Sequence, residues 1–231
     1  GSILSDKDDI SAITNNASRV NQVTNVLCPA PLSKGFTYEA LANVVTLFAR
    51  IMQDSPHLDV NNKSYPDMPI PTSGNIGDMA DYNNRDFLIK KGSSTVFLTN
   101  GAYTIQDLVT TYHPEGEIPL QFNYARNLNL DFNVKDSYTI LERLRLRDKT
   151  LVQDNQIVGV AGVIKPREWK AVVFDLFADL AEKALINDPQ FSKDSLLVQI
   201  STTNPNRFET FFKYKRTGIA RIESTDVEAG F

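Results

Sequence analysis

Between Pro166 and Ile186 the apolar residues Trp169, Val172, Val173, Leu176, Phe177, Leu180 and Leu185 recur at steps of three and four. That spacing fits an α-helix with one apolar stripe, and such a helix needs a surface to cover. Pro166 stands at the first turn, where its missing N–H is no loss and its φ is already helical. Asn187-Asp188-Pro189 is the expected terminator. A second stripe runs from Tyr38 to Asp54 through Leu41, Val44, Val45, Phe48, Ile51 and Met52. Thr37 is its expected cap and Asp54-Ser55-Pro56 its stop.

Other segments read as β. Val20 to Leu27 alternates and is β-branched, so a short strand is expected, ended by Cys28-Pro29. Phe87–Lys90 and Thr95–Thr99 read as strands around a hairpin-sized turn, Lys91-Gly92-Ser93-Ser94. Asn100-Gly101 is the strongest short turn signal in the chain and leads into a β-rich run, Tyr103–Tyr112. A three-stranded meander over residues 86–112 follows from this. Leu196–Ile200 and Arg207–Ile222 read as closing strands. Residues 55–85 are expected to be a long irregular connection.

Asn123 to Asp148 mixes periods of two and of three to four, which predicts one or two helices with a break near Lys135-Asp136. Val158–Ile164 reads as a strand or an extended linker. Together these segments predict a mixed α+β fold.

The 231 residues are 42% hydrophobic and 23% charged, which excludes collagen-like and wholly disordered chains and suffices for one or two domains. The charge balance is 24 minus 28, or −4, a poor setting for general nucleic-acid binding. No run of about 18 apolar residues occurs, so no membrane-spanning helix is predicted. One cysteine, Cys28, excludes an internal disulfide framework. Gly1-Ser2, without an initiator Met, reads as an expression scar, so a piece of a longer protein is expected. Residues 1–20, rich in Asp, Ser and Asn, read as a flexible lead-in.

A search for catalytic chemistry finds little. No GxSxG elbow occurs. Cys28 with His57 or His113 could form a dyad, but its place after an apolar run and before Pro29 suits an inert thiol. Asp6-Lys7-Asp8-Asp9 lacks the glycine and the distal Glu of a calcium loop. Asp175, Asp179 and Lys183 are spaced as a solvated helix face. Gly159/Gly162 and Gly74/Gly77 are too sparse for a phosphate loop. Two basic clusters remain. Arg143-Leu144-Arg145-Leu146-Arg147 would place Arg143 and Arg147 on one helical face, with Leu144 nearer the core. Lys213-Tyr214-Lys215-Arg216 interleaves cations with aromatics, a pattern that can serve single-stranded nucleic acid.

Two segments carry a resemblance. Arg85-Asp-Phe-Leu-Ile-Lys-Lys-Gly-Ser-Ser-Thr-Val-Phe-Leu-Thr-Asn-Gly101, continuing through Tyr103-Thr-Ile-Gln-Asp-Leu-Val-Thr-Thr-Tyr112, is similar to a stretch of the tail sheath proteins of Mu-like contractile phages. Asn206-Arg-Phe-Glu-Thr-Phe-Phe-Lys-Tyr-Lys-Arg216, running on to Ile219 and Ile222, resembles the closing strands of contractile sheath subunits. The helix before Asn187-Asp188 fits the same pattern.

The resemblance implies that residues 21–85 end a subtilisin-like α/β domain without protease activity. Residues 86–231 would form the sheath C-terminal α+β domain, with an extended arm over 219–231. It implies a structural subunit of a phage tail sheath, not an enzyme, which polymerises around an inner tube and contracts to deliver a genome. Neighbouring subunits and the tube protein would be the partners, with no cofactor, no metal, no direct nucleic-acid contact and no membrane insertion. The location would be the virion tail, assembled in the bacterial host cytoplasm. Ile219, Arg221, Ile222 and Val227 would sit in the joining arm, which adds a strand to a neighbour's sheet. Arg143, Arg145 and Arg147 are the candidates for a charged contact with the tube or a neighbour. The chain alone is expected to be monomeric. A sheath from a bacterial injection system, of secretion or pyocin type, and a hydrolase-like enzyme using Cys28 are the alternatives.

Overall fold

A computed structural model describes residues 22–27, 29–64, 68–113 and 123–220. The architecture is mixed α+β, with the chain divided into two compact units, Gly1–Phe132 and Asn133–Phe231.

In the first unit, helix α1 spans Thr37–Asp54. Thr37 is its first helical residue and not its cap. Phe36 holds the cap position, and its N–H donates to the Glu39 carboxylate at 2.9 Å. A 3-10 turn, Gly77–Ala80, and helix α2, Tyr82–Lys90, interrupt the expected connection. Asp81 caps α2 by accepting from the N–H groups of Asn83 and Asn84 at 2.7 and 3.3 Å. Phe87–Lys90 is therefore helical, not a strand. Lys91-Gly92 is the helix end: Gly92 takes φ +79°, and Ser93 N–H returns to the Leu88 carbonyl at 3.0 Å. A glycine in the left-handed region ends a helix as readily as it turns a hairpin.

Strands β1, Thr95–Thr99, and β2, Ala102–Asp107, form an antiparallel hairpin. Asn100 and Gly101 both have positive φ, +50° and +75°, as the tight turn requires. The expected run Tyr103–Tyr112 supplies β2, but its end pairs elsewhere: Val109 and Thr110 form single bridges to Tyr124 and Val26. The expected strand at Val20–Leu27 is likewise reduced, in its described part, to one bridge. Its backbone groups are shared among several segments, with Asn25 accepting from Thr111 and Leu27 from Ser94. Ala40, Val44, Val60, Met79, Leu88, Val96, Tyr103 and Ile105 form the core of this unit.

Helix α3 is one uninterrupted helix, Ala125–Arg145, with no break at Lys135-Asp136. In the second unit, β3, Thr150–Leu151, pairs in parallel with β4, Val163–Ile164. Most of the run from Val158 is thus loop. Helix α4 spans Pro166–Glu182 and buries Trp169, Val173, Leu176, Phe177 and Leu180. It stops before Ile186 because Ala184 turns left-handed, with φ +53°, and Leu185 N–H closes onto the Leu180 carbonyl at 2.9 Å. Strand β5 is Ile186–Asn187. Asp188-Pro189, expected only as a terminator, also starts helix α5, Pro189–Ser195, whose Phe191 N–H is capped by the Asp188 carboxylate. Strands β6, Leu197–Ile200, and β7, Phe208–Phe211, pair antiparallel, and β8, Lys215–Arg216, pairs antiparallel with β5. Phe212 packs edge-on to Phe177 at 5.1 Å and against Tyr138 at 5.5 Å.

Candidate interaction surface

The basic cluster lies where α3 outruns the core. Residues 142–145 are all exposed, and Leu144, expected nearer the core, is 75% exposed. Leu141 and Leu146 take the half-buried positions instead. Arg143 and Arg145 sit in the last helical turn, where cations complement the carbonyl end of the helix dipole. Arg147 follows the helix end, its Nε 3.7 Å from an Asp148 carboxylate oxygen. Both side chains are largely exposed, so this pair adds little stability.

Arg143 and Arg147 open onto one cleft of about 410 Å³, together with Lys149, Arg207, Glu142, Asp148 and Asn206. Leu146, Leu151 and Phe208 provide its half-buried apolar walls. Arg145 lies outside it. Sequence reasoning joined the arginines of 143–147, with Lys149 close behind, but missed Arg207, which chain reversal brings to the same place. The Arg207 guanidinium is fixed by Glu209 at 2.7 Å. Hydrogen bonds from Gln199, Arg207 and Ser201 hold the Glu209 carboxyl at about 2. Among the described residues, the charged groups of Arg143 and Lys149 have no hydrogen-bond or ion-pair partner.

The second basic cluster is differently disposed. The Lys215 ammonium donates to Asp188 at 2.6 Å and stands 4.4 Å from the centre of the Phe191 ring. That contact, with the Phe191 N–H, holds the Asp188 carboxyl below its usual range. Of the arm residues, Ile219 is half-buried, while Arg221, Ile222 and Val227 lie outside the described residues, as does Cys28. His113 Nδ1 is 2.6 Å from the Thr111 carbonyl oxygen, and the His57 carbonyl accepts from the buried Arg126 guanidinium at 2.7 and 2.9 Å. Burial pushes the Arg126 pKa down, with the Asp59 charge opposing. Both histidine segments therefore make structural contacts. Asp175, Asp179 and Lys183 are exposed. Among the described residues, no group of three or more His, Cys, Asp or Glu could hold a metal ion, and no helix is long and apolar enough to cross a membrane.

No protein-family model matches the sequence, and no curated protein matches it. Solved structures do. The chain is similar to a chain in the cryo-electron microscopy structure of the anti-feeding prophage baseplate, with a TM-score of 0.60 and 11% identity. That match covers 100% of this chain and 60% of the other, so the present chain spans less than two thirds of its neighbour's length. The sheath tail protein of Desulfitobacterium hafniense matches with a TM-score of 0.45 and 8% identity, over 70% of this chain and 37% of that one. What this chain shares with the baseplate chain is the fold, at 11% identity.

Proposed function

We propose that this chain is a structural subunit of a contractile tail, the part of a sheath protein that joins its neighbours around an inner tube. The observation that carries the reading is the fold likeness to the prophage baseplate chain, which extends over the whole of this sequence. The resemblance of residues 85–112 and 206–222 to sheath sequences points the same way. The short two-stranded sheets of the second unit suit a partner that adds strands. In this reading residues 21–85 end the subtilisin-like domain, residues 86–231 form the C-terminal domain, and 219–231 form the joining arm, including Ile219, Arg221, Ile222 and Val227. Arg143, Arg145 and Arg147 contact the tube or a neighbouring subunit. Such head-to-tail contacts build helical assemblies, and contraction is a change between two helical packings. The work comes from assembly, so the role calls for no cofactor.

A second reading, an injection-system component seated at the baseplate, is favoured by the source of the structural match itself. Negative-stain imaging of assemblies made by the full-length protein, with an antibody label, tests both. Label along hollow striated cylinders is the expected result. Label at one end only selects the baseplate reading, and the absence of any cylinder or plate overturns both. Neighbouring genes for a capsid, as against an effector cluster, separate phage from injection system.

A further inference from the structure

The geometry points to the cleft at the end of α3 as a binding site for an extended acidic peptide, one that carries carboxylates on either side of an apolar residue. The inference refines the proposed assembly contact by changing its membership. Arg145 leaves the site, and Lys149 and Arg207 enter it.

Charge complementarity sets the sign of the ligand. Four cations, Arg143, Arg147, Lys149 and Arg207, face two carboxylates, Glu142 and Asp148. Asp148 engages only Arg147, through the long and exposed contact already described. Arg143 and Lys149 engage no described group. Arg207 shares its charge with Glu209, so the pull on an anion comes chiefly from Arg143 and Lys149, which leave the cleft net positive. Arg207 is pre-positioned by Glu209 and, at 3.4 Å, by the Ser201 hydroxyl. It therefore loses less side-chain freedom on binding than a free arginine.

The cleft's floor sets the chemistry. Leu146, Leu151 and Phe208 offer apolar surface in the same cleft as the cations, and a peptide can place an aliphatic side chain there while its carboxylates meet the cations. A nucleic acid can stack a base on Phe208, but Leu146 and Leu151 offer it no ring, and its dense charge would meet Glu142 and Asp148. An acidic protein segment is therefore favoured over nucleic acid. Phe208 begins β7, so an extended segment here lies beside strand backbone.

The test uses the whole chain and a fluorescent peptide of alternating glutamate and valine, read by anisotropy at low salt. The same peptide with glutamine for glutamate, and a short single-stranded DNA, are the comparison probes. The acidic peptide is expected to bind, to weaken as salt rises, and to exceed both other probes. The double variant R143E/R207E is expected to weaken it about tenfold or more, and K149E less, while R145E stays within about twofold. All these side chains are exposed, and circular dichroism with a thermal melt verifies the fold of each variant. Unchanged binding in both R143E/R207E and K149E, equal loss in R145E, or tighter binding of the DNA each overturns the inference. The assay reads the cleft alone, so its failure is separate from a failure to find cylinders by microscopy.

Discussion

The Trp169 indole N–H donates to the Thr210 hydroxyl at 3.2 Å, which ties the buried face of α4 to the middle of β7. Trp169 has no exposed surface, and Tyr138 meets its ring at 6.1 Å. Thr210→Val keeps the shape and removes the acceptor. It is expected to cost about 1 kcal/mol, because the Tyr138 hydroxyl, which also bonds Trp169, remains beside the indole N–H. Trp169→Ala should cost about 3–5 kcal/mol through the cavity it opens. Trp169 is the only tryptophan in the chain, so urea unfolding followed by its fluorescence reports on this unit directly.

Tyr103 plays a comparable part in the first unit. Its hydroxyl donates to the Pro31 carbonyl at 2.6 Å, and burial, against a hydrogen bond with Ser33, pushes its pKa up to about 12. The folded value lies above the unfolded one. Its contribution is therefore complete below about pH 10 and is lost as pH rises towards about 12. Tyr103→Phe should cost about 1–2 kcal/mol at neutral pH. It should also remove a late-titrating tyrosine from the ultraviolet absorbance curve.

Glu209 sets the behaviour in acid. Its carboxyl is held at about 2 by hydrogen bonds from Gln199, Arg207 and Ser201, below the ordinary 4.5. A lowered pKa contributes stability above the unfolded value and loses it as pH falls through the folded one. The cross-strand tie between β6 and β7 should thus persist through pH 4 and give way only near about 2. Side-chain NMR titration of Glu209 is the measurement. In Arg207→Gln its midpoint should move up towards the ordinary value.

Two glycines with positive φ should respond differently to alanine. At Gly101 an added Cβ meets nothing within 4 Å, so the cost is the left-handed backbone alone, about 1–2 kcal/mol. At Gly92 the same Cβ would lie 2.9 Å from the Thr111 carbonyl oxygen and 3.0 Å from its carbon. Gly92→Ala should therefore lower the melting temperature more than Gly101→Ala, since backbone must shift as well.

What could be read from the residues follows the range of the forces involved. α1 and α4 were legible because one-sided burial writes a three-to-four period into the chain, and the β1–β2 hairpin because Asn100-Gly101 encodes its own backbone. Phe87–Lys90 misled because four apolar-rich residues fit either period; the deciding signal was Asp81, a cap lying before the run. The unbroken α3 was hidden because its apolar residues scatter around the helix. In the cleft, Arg143 and Arg147 could be joined by local spacing. Arg207 could not, because its approach depends on the path of α4, α5 and the closing strands. The mixed α+β fold was legible; the full membership of the site was not.

The pairing of β5 with β8 is only two residues long, Ile186 with Arg216 and Asn187 with Lys215. Because the two run antiparallel, tension drawn from the end beyond Thr217 meets its ties in series. The Thr217 hydroxyl lets go of the Ala184 carbonyl first, then the Arg216 rung opens, and then Lys215 parts from Asn187 and Asp188. A ladder loaded in this way unzips one rung after another instead of shearing all at once. The closing strand is thus fastened at this end by a short ladder, while the aromatic cluster around Phe177 and Phe212 holds the chain a few residues before it.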